Sequence, residues 1–174
     1  MNDTQNLLAF VYKNASMGTQ TLPQIAEKTD GDFRTAVENR LARYEDIKKS
    51  AGKLLTDEGS PDPEKAGLNG FEKASTNAML KMNLSIDSSI PRVADMLIKG
   101  SSMGIRDISE QIEKYPGADR RAVSLARDLL ELEEAGLDEM KKYLLAQPET
   151  NCQGLFNQIH KKSTKKVPEA LYGS

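Results

Sequence analysis

KNASMGTQTLPQIAEKTDGDFRTAV at 13–37 and KGSSMGIRDISEQIEKYPGADRRAV at 99–123 read as one segment written twice. Laid over each other at an offset of 86 without a gap, they share ten of 25 positions. The shared residues include Ser16-Met17-Gly18 with Ser102-Met103-Gly104, Glu27-Lys28 with Glu113-Lys114, and Gly31 with Gly117. Arg34, Ala36 and Val37 recur as Arg120, Ala122 and Val123. Ordinary composition would give about one or two identities at a chosen offset. Further on, Leu41-Ala42-Arg43 with Ala51-Gly52 recurs as Leu125-Ala126-Arg127 with Ala135-Gly136, at an offset of 84. The duplicated unit is a pair of helices, and the register of its second helix is left open between the two offsets.

The helices follow from periodicity. Leu8, Val11, Ala15, Gly18, Leu22 and Ile25 alternate by three and four residues, which places them on one stripe. Asp3 or Thr4 is expected to cap this helix, and Pro23 to kink it, because proline lacks an amide donor and crowds the preceding turn. The turn Thr29-Asp30-Gly31 leads to a second stripe of Phe33, Val37, Leu41, Tyr44, Ile47, Ala51 and Leu55, with Asp32 expected as its cap. So short a connection implies an antiparallel hairpin. The second hairpin has Ala94, Leu97, Ser101, Gly104, Ile108 and Ile112, a break at Tyr115-Pro116-Gly117, then Leu125, Leu129, Leu132, Gly136, Met140 and Leu144. Ser88 or Ser89 would cap it, with Pro91 in its first turn. Period-two alternation is absent, so the chain reads as all-α.

Between the hairpins, Gly59 to Ile90 spans 32 residues, against about 2–8 for neighbouring helices of a simple bundle. TDEGSPDPEKAG at 56–67 reads as a loop, and Phe71, Ala74, Ala78, Met79 and Met82 as a short amphipathic helix. The organisation expected is a four-helix bundle over 1–148, with hairpin 4–56, crossover 57–89 and hairpin 90–147, followed by a tail over 149–174. A link of this length favours a bundle with one long crossover over an up-down-up-down order.

Composition bounds the chemistry. The chain has 174 residues, a net charge of −2, one His, one Cys, seven Met and no Trp. One cysteine, Cys152, gives no disulfide framework. The start lacks a basic leader and an apolar core of signal-peptide length, and no run reaches the ~18–20 apolar residues of a membrane helix. The expectation is a cytoplasmic protein without membrane or nucleic-acid partners. The tail carries KKSTKK at 161–166 and a charge of +2 against −4 for residues 1–148. Without an aromatic platform beside it, such a cluster is a weak nucleic-acid signal.

Two helical hairpins joined by a long crossover resemble the ferritin-like superfamily over roughly residues 4–146. Ser16-Met17-Gly18, MLIKGSSMGIRDI at 96–108 and Glu133-Glu134 with Leu137 are similar to uncharacterised ferritin-like bundle proteins of Gram-positive anaerobes. The resemblance implies a di-iron site, for which such proteins use a Glu from each of two helices and Glu-x-x-His from the other two. This sequence departs from that pattern. It contains no Glu-x-x-His, its only histidine is His160 in the tail, and helix one has no carboxylate between Asp3 and Glu27. Where a bridging Glu would be expected stand Ser16-Met17-Gly18 and Ser102-Met103-Gly104.

No cofactor is therefore expected. Glu38, Glu45, Asp107, Glu110, Glu131, Glu133 and Glu134 read as solvated faces, and a weak all-oxygen metal site would have to use Glu45, Asp107 and Glu134. Glycine costs a helix about 1 kcal/mol relative to alanine. Gly18 and Gly104 are therefore expected to allow a close approach of helices one and three on the pseudo-twofold axis, with Met17 and Met103 filling space. The sharper alternative is a small apolar pocket lined by Met17, Gly18, Tyr44, Met96, Met103 and Gly104. Axial haem ligation by methionine, as the resemblance allows, has no second supporting feature. The leading functional expectation is a non-catalytic bundle acting through self-association, as a homodimer, or through a protein partner. A divergent metal-binding protein or oxidase, and a binder of a small apolar ligand, are the alternatives.

Overall fold

A computed structural model of the chain describes residues 1–60 and 89–144. Within them the architecture is an all-α four-helix bundle: α1 (Asp3–Ala26), α2 (Gly31–Asp57), α3 (Ile90–Lys114) and α4 (Arg120–Leu144). There is no strand among the described residues. The short helix expected near Phe71–Met82 and the whole tail, with Cys152 and His160, lie outside them.

The helix ends show why the chain turns where it does. Asn2, not Asp3 or Thr4, caps α1: its Oδ1 accepts from Gln5 N at 2.8 Å while Gln5 Oε1 accepts from Asn2 N at 3.1 Å, a reciprocal arrangement that satisfies two end amides. Asp3 and Thr4 are thereby free for another task. Asp3 Oδ2 accepts from Gly117 N at 3.0 Å and Thr4 Oγ1 from Asp119 N at 2.9 Å, tying the start of α1 to the α3–α4 turn. Pro23 lies in the last turn of α1, which runs on to Ala26. Asp30 rather than Asp32 occupies the N-cap of α2, and Gly31 takes φ +55°, a left-handed value that favours glycine. Beyond the last residue of α2, Gly59 (φ +69°) turns the chain: Gly59 N donates to Thr56 O at 3.0 Å and Ser60 N to Leu55 O at 2.9 Å, which satisfies two end carbonyls through a left-handed glycine. Asp119 Oδ1 accepts from Ala122 N at 2.9 Å at the start of α4.

These end contacts also fix the helix directions. Gln5 Nε2 donates to Glu58 O at 2.9 Å and Arg121 pairs with Glu58 at 3.2 Å, so the start of α1, the end of α2 and the start of α4 share one end of the bundle. At the other end the Phe33 and Tyr143 rings meet edge to face, centroids 4.8 Å apart, a favoured aromatic geometry. α1 and α4 therefore run parallel to each other and antiparallel to α2 and α3. The end of α2 and the start of α3 consequently lie at opposite ends of the bundle. Packing is heaviest within each hairpin, α1 on α2 and α3 on α4, and lighter across the seam between hairpins. Leu7, Leu8, Val11, Ile25, Phe33, Val37, Leu55, Val93, Ile108, Leu129 and Met140 are fully buried and form the apolar core.

Candidate functional site

Halfway along the bundle the apolar core is interrupted by charge. Arg40 and Tyr44 stand one helical turn apart on α2, so their side chains rise from the same face. Glu133 faces them from α4 and Ser101 from α3. Arg40 Nη2 donates to Glu133 Oε2 at 2.6 Å, to Ser101 Oγ at 2.6 Å and to Tyr44 Oη at 3.1 Å. Tyr44 Oη donates to the other carboxylate oxygen of Glu133. Arg40 is 6% exposed and Glu133 8%, and they are the only buried charged residues among those described. Nε and Nη1 of Arg40 are buried without a hydrogen-bond partner.

Each large side chain of the cluster lies over a glycine of a facing helix. A Cβ at Gly18 would fall 2.7–2.8 Å from Cγ, Cδ1 and Cδ2 of the Tyr44 ring. One at Gly136 would fall 2.6 Å from Cζ of Arg40, and one at Gly104 3.2 Å from Cδ of Glu133. Three helix glycines thus make room for three polar side chains. Gly100 is different: nothing lies within 4 Å of its added Cβ.

The electrostatics are self-contained. The guanidinium and the carboxylate neutralise each other, and both carboxylate oxygens are engaged. Burial, with the Glu133 carboxylate acting in the same direction, pushes the Tyr44 hydroxyl well above its usual range, against the opposing pull of Arg40. Tyr44 therefore stays protonated and serves as a donor. Ser101 Oγ accepts from the same Arg40 Nη2 that binds the Glu133 carboxylate.

The residues singled out from the sequence are distributed otherwise than expected. Gly18 and Tyr44 are in contact, and the atoms nearest to a Cβ on Gly18 and on Gly104 belong to a side chain of each hairpin's own second helix. Met103 is 59% exposed and takes no part in the core, and Met17 and Met96 are half-buried. The Tyr44 ring lies directly over Gly18. Glu133, expected on a solvated face, is buried because Arg40 compensates its charge. Glu45 and Glu134 are exposed, and Asp107 is paired with Arg106 at 2.9 Å. Among the described residues no group of three or more His, Cys, Asp or Glu is placed to share a metal ion.

A di-iron centre does not fit these residues. The bundle midpoint holds a buried cation, and Glu133, the only buried carboxylate among the described residues, is paired with it. Arg40 was missed in the sequence, although it sits on the stripe of Phe33, Val37, Tyr44 and Ile47. Glu133 likewise falls between Leu129 and Gly136 on the inward stripe of α4. A charge of each sign inside an apolar stripe was the available signal.

No protein-family model matches the chain. Nor does any curated protein or solved structure.

Proposed function

We propose that this is a ferritin-like helical-bundle protein that works without catalysis and without a conventional di-iron site, through self-association as a homodimer or through a protein partner, in the cytoplasm. The observation supporting it is the Arg40–Glu133–Tyr44 cluster. It fills the bundle midpoint with an ion pair whose carboxylate is engaged at both oxygens by Arg40 and Tyr44, and among the described residues no acidic group is placed to share a metal with it. A bundle of this kind offers its outer faces to partners, and a twofold dimer is the commonest assembly of such chains. No helix among the described residues is long and apolar enough to cross a membrane, which is compatible with this reading. The parallel α1 and α4, with α2 and α3 running against them, support the ferritin-like connectivity.

The deciding measurement is elemental analysis of the full chain purified with iron and manganese supplied, together with its mass by light scattering. A sub-stoichiometric metal content and a dimer mass are expected. Stoichiometric metal that is lost on Glu45→Ala or Glu134→Ala would replace this reading with a metal-binding one.

A further inference from the structure

The two charges of the cluster are divided between the hairpins. Hairpin one (α1–α2) contributes only the cation and the phenol; hairpin two (α3–α4) contributes only the carboxylate and the serine. The repeat in the sequence does not extend to them. At offsets of 86 and 84, Arg40 corresponds to Ala126 or Ser124, and Glu133 corresponds to Ile47 or Lys49. Two hairpins similar enough to compete for the same apolar seam thus differ in the charge each brings to its middle.

We propose that the Arg40–Glu133 pair is a selectivity latch, which admits hairpin one only against hairpin two and rejects docking of like with like. Hairpin one against a second copy of itself would bury Arg40 with no carboxylate to face it. Hairpin two against itself would bury Glu133 with no cation. Removing a charge from water without a partner is far costlier than burying the neutral pair. A hairpin from a second chain is accepted on the same terms, so any exchange between copies pairs unlike hairpins. Buried polar groups that fix register or assembly state are the best-attested use of such pairs, at a cost in stability. Here that cost is visible in the unpartnered Nε and Nη1 of Arg40 and in the glycines that make room for the cluster. The latch is independent of which surface the protein uses for partners.

The test compares the full chain with the apolar double variant Arg40→Met/Glu133→Leu and with the charge-keeping Arg40→Lys, by amide NMR spectra and native mass spectrometry. Wild type and Arg40→Lys are expected to give one cross-peak per residue and one mass. The double variant is expected to stay helical but to show two or more sets of peaks for seam residues such as Ala126 and Leu129, with additional oligomeric masses. A double variant with one set of peaks and the wild-type mass overturns the latch. So does a double variant that fails to fold, because the cluster would then supply stability rather than selection. Several states in Arg40→Lys would equally overturn it, since charge would not be what selects.

Discussion

The guanidinium of Arg40 lies where a side chain on Gly136 would have to be, with Cζ only 2.6 Å from the position of an added Cβ. Arg40 cannot swing aside freely, because its Nη2 is held by Glu133 and Ser101 at 2.6 Å each. The glycine on α4 and the arginine on α2 are therefore one feature of the structure. Because α4 comes this close, the cation can stay within reach of its carboxylate in an otherwise apolar seam.

Gly136→Ala should thus destabilise the protein even though alanine is the better helix former. The substitution gains about 1 kcal/mol of propensity but displaces the guanidinium from a buried pair, whose disruption costs about 3–5 kcal/mol. A net loss of about 2–4 kcal/mol is expected in urea denaturation.

The other helix glycines separate by what covers them. Gly18→Ala drives a methyl into the root of the buried Tyr44 ring, at 2.7–2.8 Å, and should cost about 1–3 kcal/mol as overpacking. Gly104→Ala meets the Glu133 side chain at 3.2–3.3 Å, so the strain and the propensity gain nearly cancel. Gly100→Ala meets nothing and should stabilise by up to about 1 kcal/mol. Thermal unfolding of the three variants should rank Gly100→Ala above Gly104→Ala and Gly104→Ala above Gly18→Ala. An equal effect at Gly18 and Gly100 would show that Tyr44 does not depend on close approach of α1.

The stripes made the helices legible: Leu8 to Ile25 and Phe33 to Leu55 are inward series of α1 and α2, bounded within a few residues. Apolar periodicity reports which face is buried, and a missing Glu-x-x-His is visible in one dimension. What could not be read was the partner of each inward residue. Gly18 and Gly104 share a position in the repeat, yet one receives a phenol ring and the other a carboxylate chain, from positions that the repeat does not relate. Glu133 looks solvated until Arg40, 93 residues earlier, is known to face it. Each charge stands on an apolar stripe, but nothing in one dimension says that the two face each other.

The start of α4 should show acid sensitivity. The Ala122 backbone N–H, followed by Arg121, holds the Asp119 carboxyl below its ordinary range near 3.8. A lowered carboxyl favours the folded state above its ordinary value, and the benefit disappears as pH falls through the folded value. Asp119→Ala should cost about 0.5–2 kcal/mol at neutral pH, as loss of a cap does. The gap between wild type and variant should close below about pH 4 in denaturation curves measured across pH.

At the alkaline end the sign reverses for Tyr44. Its hydroxyl has an ordinary value of 10.0 and is pushed upward, first by burial and then by the Glu133 carboxylate, with Arg40 opposing. The unfolded chain therefore releases this proton at a pH where the folded chain still holds it. The stabilisation is complete below pH ~10 and is lost as pH rises beyond that. Tyr44→Phe removes the group and with it this share of the pH dependence. It also removes the donor to Glu133, for about 1–3 kcal/mol at neutral pH. The expected result is that wild type loses stability above pH ~10 more steeply than Tyr44→Phe, so that the two curves converge. In a spectrophotometric titration of the five tyrosines, Tyr44 should ionise only together with alkaline unfolding, and the amplitude of the delayed step should fall in Tyr44→Phe. Parallel stability curves with no delayed step would mean that the Tyr44 hydroxyl is open to solvent rather than locked against Glu133.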